Sequence, residues 1–261
     1  MPAQLWDYVR VDRDGWIAIL TLSRPPVNAL SQPMVAELSA AAGVLAEMDR
    51  ASVVLVRSAL PHFCAGADLK EREQLPHEQV AGAVAAIKAS LDAIARLPQP
   101  TIAAVGGAAT GGGAELALAC DLRIMAEDVR FGLTETKLGV IPGAGGTQRL
   151  ARIVGPSKAK ELIFTAATLD GTACYDLGLA NRLTRPELLD EAARSFADEL
   201  ARNAPLALRA AKQVILEGLD LPLREGLLAE AKAYAGLVGT RDRNEGLKAF
   251  LDKRPPEWRG E

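Results

Sequence analysis

Thr101-Ile102-Ala103-Ala104-Val105, then Gly111-Gly112-Gly113-Ala114-Glu115-Leu116-Ala117-Leu118-Ala119-Cys120, then Leu122-Arg123-Ile124-Met125 read as strand, buried helix and strand. The outer two are short apolar runs. The middle one is small or apolar on every side over about two helical turns, the pattern of a helix with no solvent face. The alternation continues outward. Tyr8-Val9-Arg10-Val11 and Trp16 to Leu22, around Asp14-Gly15, predict an opening hairpin. Ser31 is placed to cap a helix with Pro33 in its first turn, running to about Met48 before the strand Val53-Val54-Leu55-Val56. A second long helix is expected from about Gln79 to Leu97. Short apolar strands alternating with helices imply an α/β core whose sheets are covered by helices. Beyond about Gly155 the pattern predicts helices only: 157–166, 170–177, 186–203, 205–217, 222–238 and 241–251.

The 261 residues suffice for a substantial core, and 49% apolar with 24% charged residues is ordinary for a globular protein. A formal charge of −3 and a pI near 5.6 give no global pull toward nucleic acid or an anionic bilayer. Cys64, Cys120 and Cys174 are far apart with no CxxC pair, so reduced thiols in a cytoplasmic protein are expected. The N-terminus has an early acid and no apolar core of signal-peptide length, and reads as that of a mature protein. The apolar, uncharged tract 101–114 is too short and too glycine-broken to span a bilayer. No membrane segment is expected.

Glu115 is the conspicuous residue. Burying a carboxylate without a partner costs several kcal/mol and raises its pKa, so this one either does chemistry or is held by backbone N–H groups or an arginine such as Arg123 or Arg149. Glu135, in Phe131-Gly132-Leu133-Thr134-Glu135-Thr136-Lys137, reads equally well as part of a solvated turn. Neither glycine cluster makes a phosphate loop or a dinucleotide fingerprint. Gly106-x-x-x-x-Gly111 lacks the Lys-Ser/Thr that should follow, and Leu116 and Gln148 stand where a third fingerprint glycine belongs. With only His62 and His77, both near proline in expected surface loops, there is little material for a metal site or a histidine triad. What survives is a glycine run opening a helix. Its first N–H groups lack intrahelical acceptors and suit an anion or an oxyanion; tight packing of helix on sheet is the other reading. His62 to Lys70, directly after the Val53 strand, offers a second set of backbone donors.

Five ordered blocks carry a resemblance that covers nearly the whole chain: 63–70, 111–117, 131–135, 141–150 and 249–254. Together they resemble the crotonase, or enoyl-CoA hydratase, superfamily. The resemblance implies an α/β crotonase-like core of repeated ββα units over residues 1–200 and a C-terminal helical oligomerisation region over 201–261. A homotrimer, or a hexamer of two trimers, is expected. It further implies an acyl-CoA thioester whose carbonyl is held by the backbone N–H groups of Ala67 and Gly112. Glu115 would act as base toward a water adding at C3, and Glu135 would supply the proton to C2. The CoA moiety would meet the Ala65 to Ala67 backbone and Lys70, with Phe250 and Lys253 reaching in from a neighbouring subunit. Gly66, Asp68 and Gly143 complete the expected substrate contacts. Lys70 and Lys253 read equally well as solvated surface charge. No cofactor beyond the CoA of the substrate and no metal is expected.

Within the family, the segments 64–72, 133–138, 159–164 and 242–247 look most like the methylglutaconyl-CoA hydratase branch, which acts in leucine breakdown. A general short-chain hydratase of fatty acid β-oxidation, or an isomerase, hydrolase or decarboxylase, keeps the fold and changes the reaction. Gly106, where many relatives carry Asn, and Thr110 depart from the family pattern and put the acyl preference in question. Some relatives in the branch also bind AU-rich RNA, and a helix that did so would need cations on one face at i, i+4 and i+8. The first long helix here presents Gln32, Ala36 and Ala40 beside Glu37 and Glu47, so no nucleic acid partner is expected.

Overall fold

The computed structural model describes residues 4–261. β1 (Gln4–Leu5), β2 (Val9–Asp14) and β3 (Ile17–Leu22) form an antiparallel meander. The hairpin turn is Gly15-Trp16, one residue later than expected, because Gly15 takes the positive φ (59°) at its first central position and Asp14 stays in the ladder. α1 (Gln32–Ala46) begins where Ser31 accepts from Met34 N at 3.4 Å. There follow β4 (Val53–Ser58), α2 (Leu69–Gln74), α3 (His77–Ala95), β5 (Thr101–Val105), β6 (Ala108–Thr110) and α4 (Gly112–Ala119). Next come β7 (Leu122–Ala126), β8 (Arg130–Gly132), a 3₁₀ turn Glu135–Leu138, α5 (Gly146–Val154), α6 (Pro156–Thr165), α7 (Gly171–Asp176) and β9 (Arg182–Thr184). α8 (Leu189–Ala201), α9 (Pro205–Gly218), α10 (Leu223–Leu237) and α11 (Arg241–Leu251) complete the chain.

The seven-stranded sheet runs β1-β2-β3-β4-β5-β7-β9, parallel from β3 onward. β9 corrects the expectation of helices only after Gly155: three half-buried residues pairing with β7 are too few to show a period of two. Each of β3, β4, β5 and β7 leads into a short second layer and then a helix. Leu30 bridges Ala67, Cys64 bridges Ala109, and β6 pairs with β8, all parallel. The units β5-β6-α4 and β7-β8-α5 show the ββα repeat.

Both faces of the large sheet are buried, which is why its strands read as continuous apolar runs. Val54, Val56, Ala103 and Val105 join the main core with α1, α3 and α4, while Val53, Leu55, Ile102 and Ala104 pack on Ala193, Phe196 and Ala197 of α8. α9 and α10 pack against one another. α9 is tied back to the sheet by buried Lys212, whose Nζ donates to Gln99 O at 2.9 Å and lies 2.7 Å from Asp121 Oδ2. Among the described residues no helix is long and apolar enough to cross a membrane, and no three His, Cys, Asp or Glu side chains are grouped to hold a metal ion.

Candidate active site

The loops leaving the carboxyl ends of β4 and β5 meet at the start of α4, the end of a parallel sheet where ligands usually bind. Leu30 N donates to Gly66 O at 2.7 Å and Asp68 N to Leu30 O at 3.2 Å, so the pairing with Leu30 uses the residues flanking Ala67. Among the described residues, the N–H groups of Ala67 and of Gly112, the first residue of α4, donate to no acceptor. They face one space: a methyl group on Gly112 would stand 3.7 Å from Ala67 N. Glycine is needed at 66, where φ is +92° and a Cβ would lie 2.7 Å from Thr110 O. Two free amides this close, in the lining of one cavity, suit an oxygen that gains negative charge.

Every residue of α4 is buried, Glu115 among them at 3% exposure. Its Oε1 accepts from Ala144 N at 2.7 Å and Gly146 N at 2.9 Å, leaving Oε2 unbonded. The backbone reading of its partner is therefore the one the structure adopts. Arg123 donates to the carbonyls of Ala117 and Cys120, and Arg149 to Asp92 and Ala144 O. Burial pushes the Glu115 carboxyl above the usual range, and the two amides with the charges of Arg149 and Arg72 offset only part of that.

Glu135 begins the 3₁₀ turn and is not a solvated turn residue. It is half-buried, its Oε2 is enclosed without a hydrogen-bond partner, and a methyl group on Gly111 would stand 3.4 Å from its Oε1. Burial first, and then the charge of Glu115, raise its carboxyl to about 7, against the opposing effect of its own backbone N–H.

Glu115, Glu135, Ala65, Gly66, Ala67, Gly112 and Gly143 line one cavity of about 180 Å³. Its remaining wall is mostly apolar, from Leu69, Val80, Val84 and Ile87 on one side to Leu138, Val140 and Ile141 on the other. The other expected contacts lie elsewhere. The Asp68 carboxylate caps α2 through Lys70 N and Glu71 N and pairs with Arg24 at 2.7 Å, which holds it below its ordinary range despite partial burial. Lys70 is exposed on α2, and Phe250 (82% exposed) and Lys253 lie at the end of α11, outside this cavity. His62 is half-buried rather than superficial, its Nδ1 accepting from Ala108 N at 3.1 Å. Sequence reasoning missed Arg72, which lines the cavity. Its three-residue spacing from Leu69 is the signal that would have placed it there once α2 was recognised.

A pair of enclosed carboxyls beside two unpartnered amides is the equipment of an enzyme that works by acid/base and oxyanion chemistry. The family model described as enoyl-CoA hydratase/isomerase matches residues 12–261, and the chain belongs to that family. It is 46% identical over 239 residues to human mitochondrial methylglutaconyl-CoA hydratase, covering 90% of this chain and 70% of that protein. It is 44% identical over 253 residues to human mitochondrial enoyl-CoA hydratase domain-containing protein 2, covering 95% and 87% of the two. The crystal structure of enoyl-CoA hydratase from Bacillus anthracis superposes with a TM-score of 0.95 at 43% identity, covering 98% of this chain and all of that one. The fold is thus the crotonase fold.

Proposed function

We propose that the chain hydrates a 2-enoyl-CoA thioester, with 3-methylglutaconyl-CoA as its physiological substrate. The carrying observation is the Glu135 carboxyl, enclosed with an unpartnered oxygen in the same cavity as Glu115 and held near neutrality. A water between the two carboxyls gives its proton to Glu115 Oε2 as its oxygen bonds to C3. The C2–C3 π electrons move through C1 onto the thioester oxygen, which accepts from Ala67 N and Gly112 N. C2 then takes the proton of Glu135, the carbonyl re-forms, and a proton passes from Glu115 back to Glu135. Each amide donor contributes about 2.7–4 kcal/mol to such a transition state. The 46% identity to a methylglutaconyl-CoA hydratase favours that acyl group.

In the same reading CoA runs along the Ala65 to Ala67 backbone toward Lys70, and Phe250 and Lys253 serve the site of a neighbouring chain in a trimer or hexamer. The exposed apolar side chains Leu219, Leu223, Leu228 and Tyr234 support such an assembly. No nucleic acid and no further cofactor enters.

The test is steady-state hydration of 3-methylglutaconyl-CoA and crotonyl-CoA, followed by loss of the conjugated enoyl-thioester absorbance, with wild type and Glu115→Gln. The expected outcome is a preference for 3-methylglutaconyl-CoA and a fall of about 10²–10⁴-fold in the variant. A preference for crotonyl-CoA would make the chain a general short-chain hydratase. Absence of hydration with either would overturn the reading.

A further inference from the structure

Beyond the two glutamates the cavity offers a substrate little but hydrocarbon. Among the described residues lining it, Arg72 is the only cation. Leu69 and Arg72, three apart on α2, share the face turned to the cavity, whereas Lys70 lies about 200° round the helix from Arg72. Arg72 also borders, with Ala67 and Ile87, a neighbouring groove of about 510 Å³ between α1 and α3. It therefore stands at the seam of the two spaces.

Arg149, Arg24 and Glu71 have partners, and the Arg72 side chain has none among the described residues. Arg149 pairs with Asp92 at 2.6 Å, Arg24 with Asp68 at 2.7 Å, and Glu71 accepts from Gln32 N at 2.9 Å. Among the described residues no acceptor hydrogen-bonds to the Arg72 side chain, and no carboxylate lies within ion-pair distance. A half-buried guanidinium against an apolar wall is costly without a partner, and its fork fits a carboxylate with two parallel hydrogen bonds. Without it, a third carboxylate entering beside Glu115 and Glu135 would meet only repulsion. Its field reaches that far, since its charge favours the ionised form of both glutamates.

We propose that Arg72 receives a carboxylate at the far end of the acyl group, so that the site selects enoyl-CoA thioesters of dicarboxylic acids over plain alkenoyl thioesters. The proposal deepens the reading of 3-methylglutaconyl-CoA as substrate and rests on it for its physiological meaning.

Saturated thioesters separate recognition from turnover. Glutaryl-CoA and butyryl-CoA are compared as competitive inhibitors of crotonyl-CoA hydration in wild type, Arg72→Met and Arg72→Lys, with thermal melting to confirm folding. Wild type is expected to bind glutaryl-CoA about 10- to 100-fold more tightly than butyryl-CoA, the range of one charged hydrogen-bonding pair. Arg72→Met should abolish that ratio and Arg72→Lys restore part of it, because lysine keeps the charge without the fork. A wild type indifferent to the carboxylate, or a ratio unchanged in Arg72→Met, overturns the proposal. So does an equal weakening of both inhibitors with a displaced pH profile, which would make Arg72 a positioning residue for the glutamates. A wild type that prefers glutaryl-CoA yet fails to hydrate 3-methylglutaconyl-CoA would sink the substrate reading and leave Arg72 as the carboxylate receptor.

Discussion

Glu115 and Glu135 share a cavity but differ in how the backbone treats them. Two amides hold one oxygen of Glu115, which favours its charged form against burial, while Glu135 keeps an enclosed oxygen with no donor at all. This asymmetry suits Glu115 to accept a proton and Glu135 to give one. A proton donor raised to about 7 must be protonated to work, so kcat/KM is expected to fall as pH rises through that value. Glu135→Gln should lose that alkaline limb along with most of its activity, as a pH series of initial rates would show. The same shift affects stability. Between the ordinary carboxyl value of 4.5 and about 7, the unfolded chain releases a proton that the folded chain retains, so wild type loses stability across this window and no more above it. Glu135→Gln does not titrate there. Its advantage over wild type should grow from pH 4.5 to 7 and level off on the order of 1–3 kcal/mol, readable from denaturant midpoints at several pH values. Glu115 stood out in the sequence because a charge within an unbroken apolar run violates the pattern of its own helix. Its clamp did not, since Ala144 N and Gly146 N lie 29 and 31 residues away and act through backbone that any residue supplies.

Neighbouring glycines at the start of α4 serve different ends. A methyl group on Gly112 would press on Leu30 Cδ1 at 3.0 Å, the movable tip of a side chain, and intrude beside Ala67 N. One on Gly113 would overlap the carbonyl of Cys64, which is fixed by Thr110 N at 3.1 Å. Gly112→Ala is therefore expected to fold with little change in melting temperature while kcat falls about 10²-fold, the cost of a displacement near 1 Å at the reacting atoms. Gly113→Ala should yield little folded protein. Equal melting losses in the two variants would refute this division. Elements with a cap or a long period were legible: α1 begins at the expected Ser31 cap and α11 spans the expected 241–251. α2, a helix of six residues, and β8 and β9, strands of three, were not, because each carries fewer than two full repeats of its own period. The α8 stretch was legible as helix, but its role in covering the outer face of the sheet needed the structure, because sequence periodicity does not say which surface meets which.

The cavity and the end of α11 meet different amounts of this chain. The cavity at Glu115 is enclosed by four elements and their loops, whereas Phe250 and Leu251 are 82% and 78% exposed at the end of α11, with nothing of their own chain over them. Leu219, Leu223, Leu228 and Tyr234 are further exposed apolar side chains on α10 and at the end of α9. The core has no such deficit, since both faces of its sheet are covered within one chain. On the proposed reading, association should therefore matter less to folding than to CoA binding. Wild type is expected to sediment at the mass of three or six chains. Leu223→Asp with Leu228→Asp should sediment as a smaller species that stays folded, because a buried unpaired carboxylate at each contact opposes association. If Phe250 and Lys253 complete a neighbour's site, the KM for crotonyl-CoA in that variant should rise at least about tenfold, equivalent to ~1.4 kcal/mol of lost contact, with kcat far less affected. The glutamates and the amide hole come from one chain and are untouched by separation. A dissociated variant with an unchanged KM would place CoA recognition entirely within the single chain and return Phe250 and Lys253 to the surface.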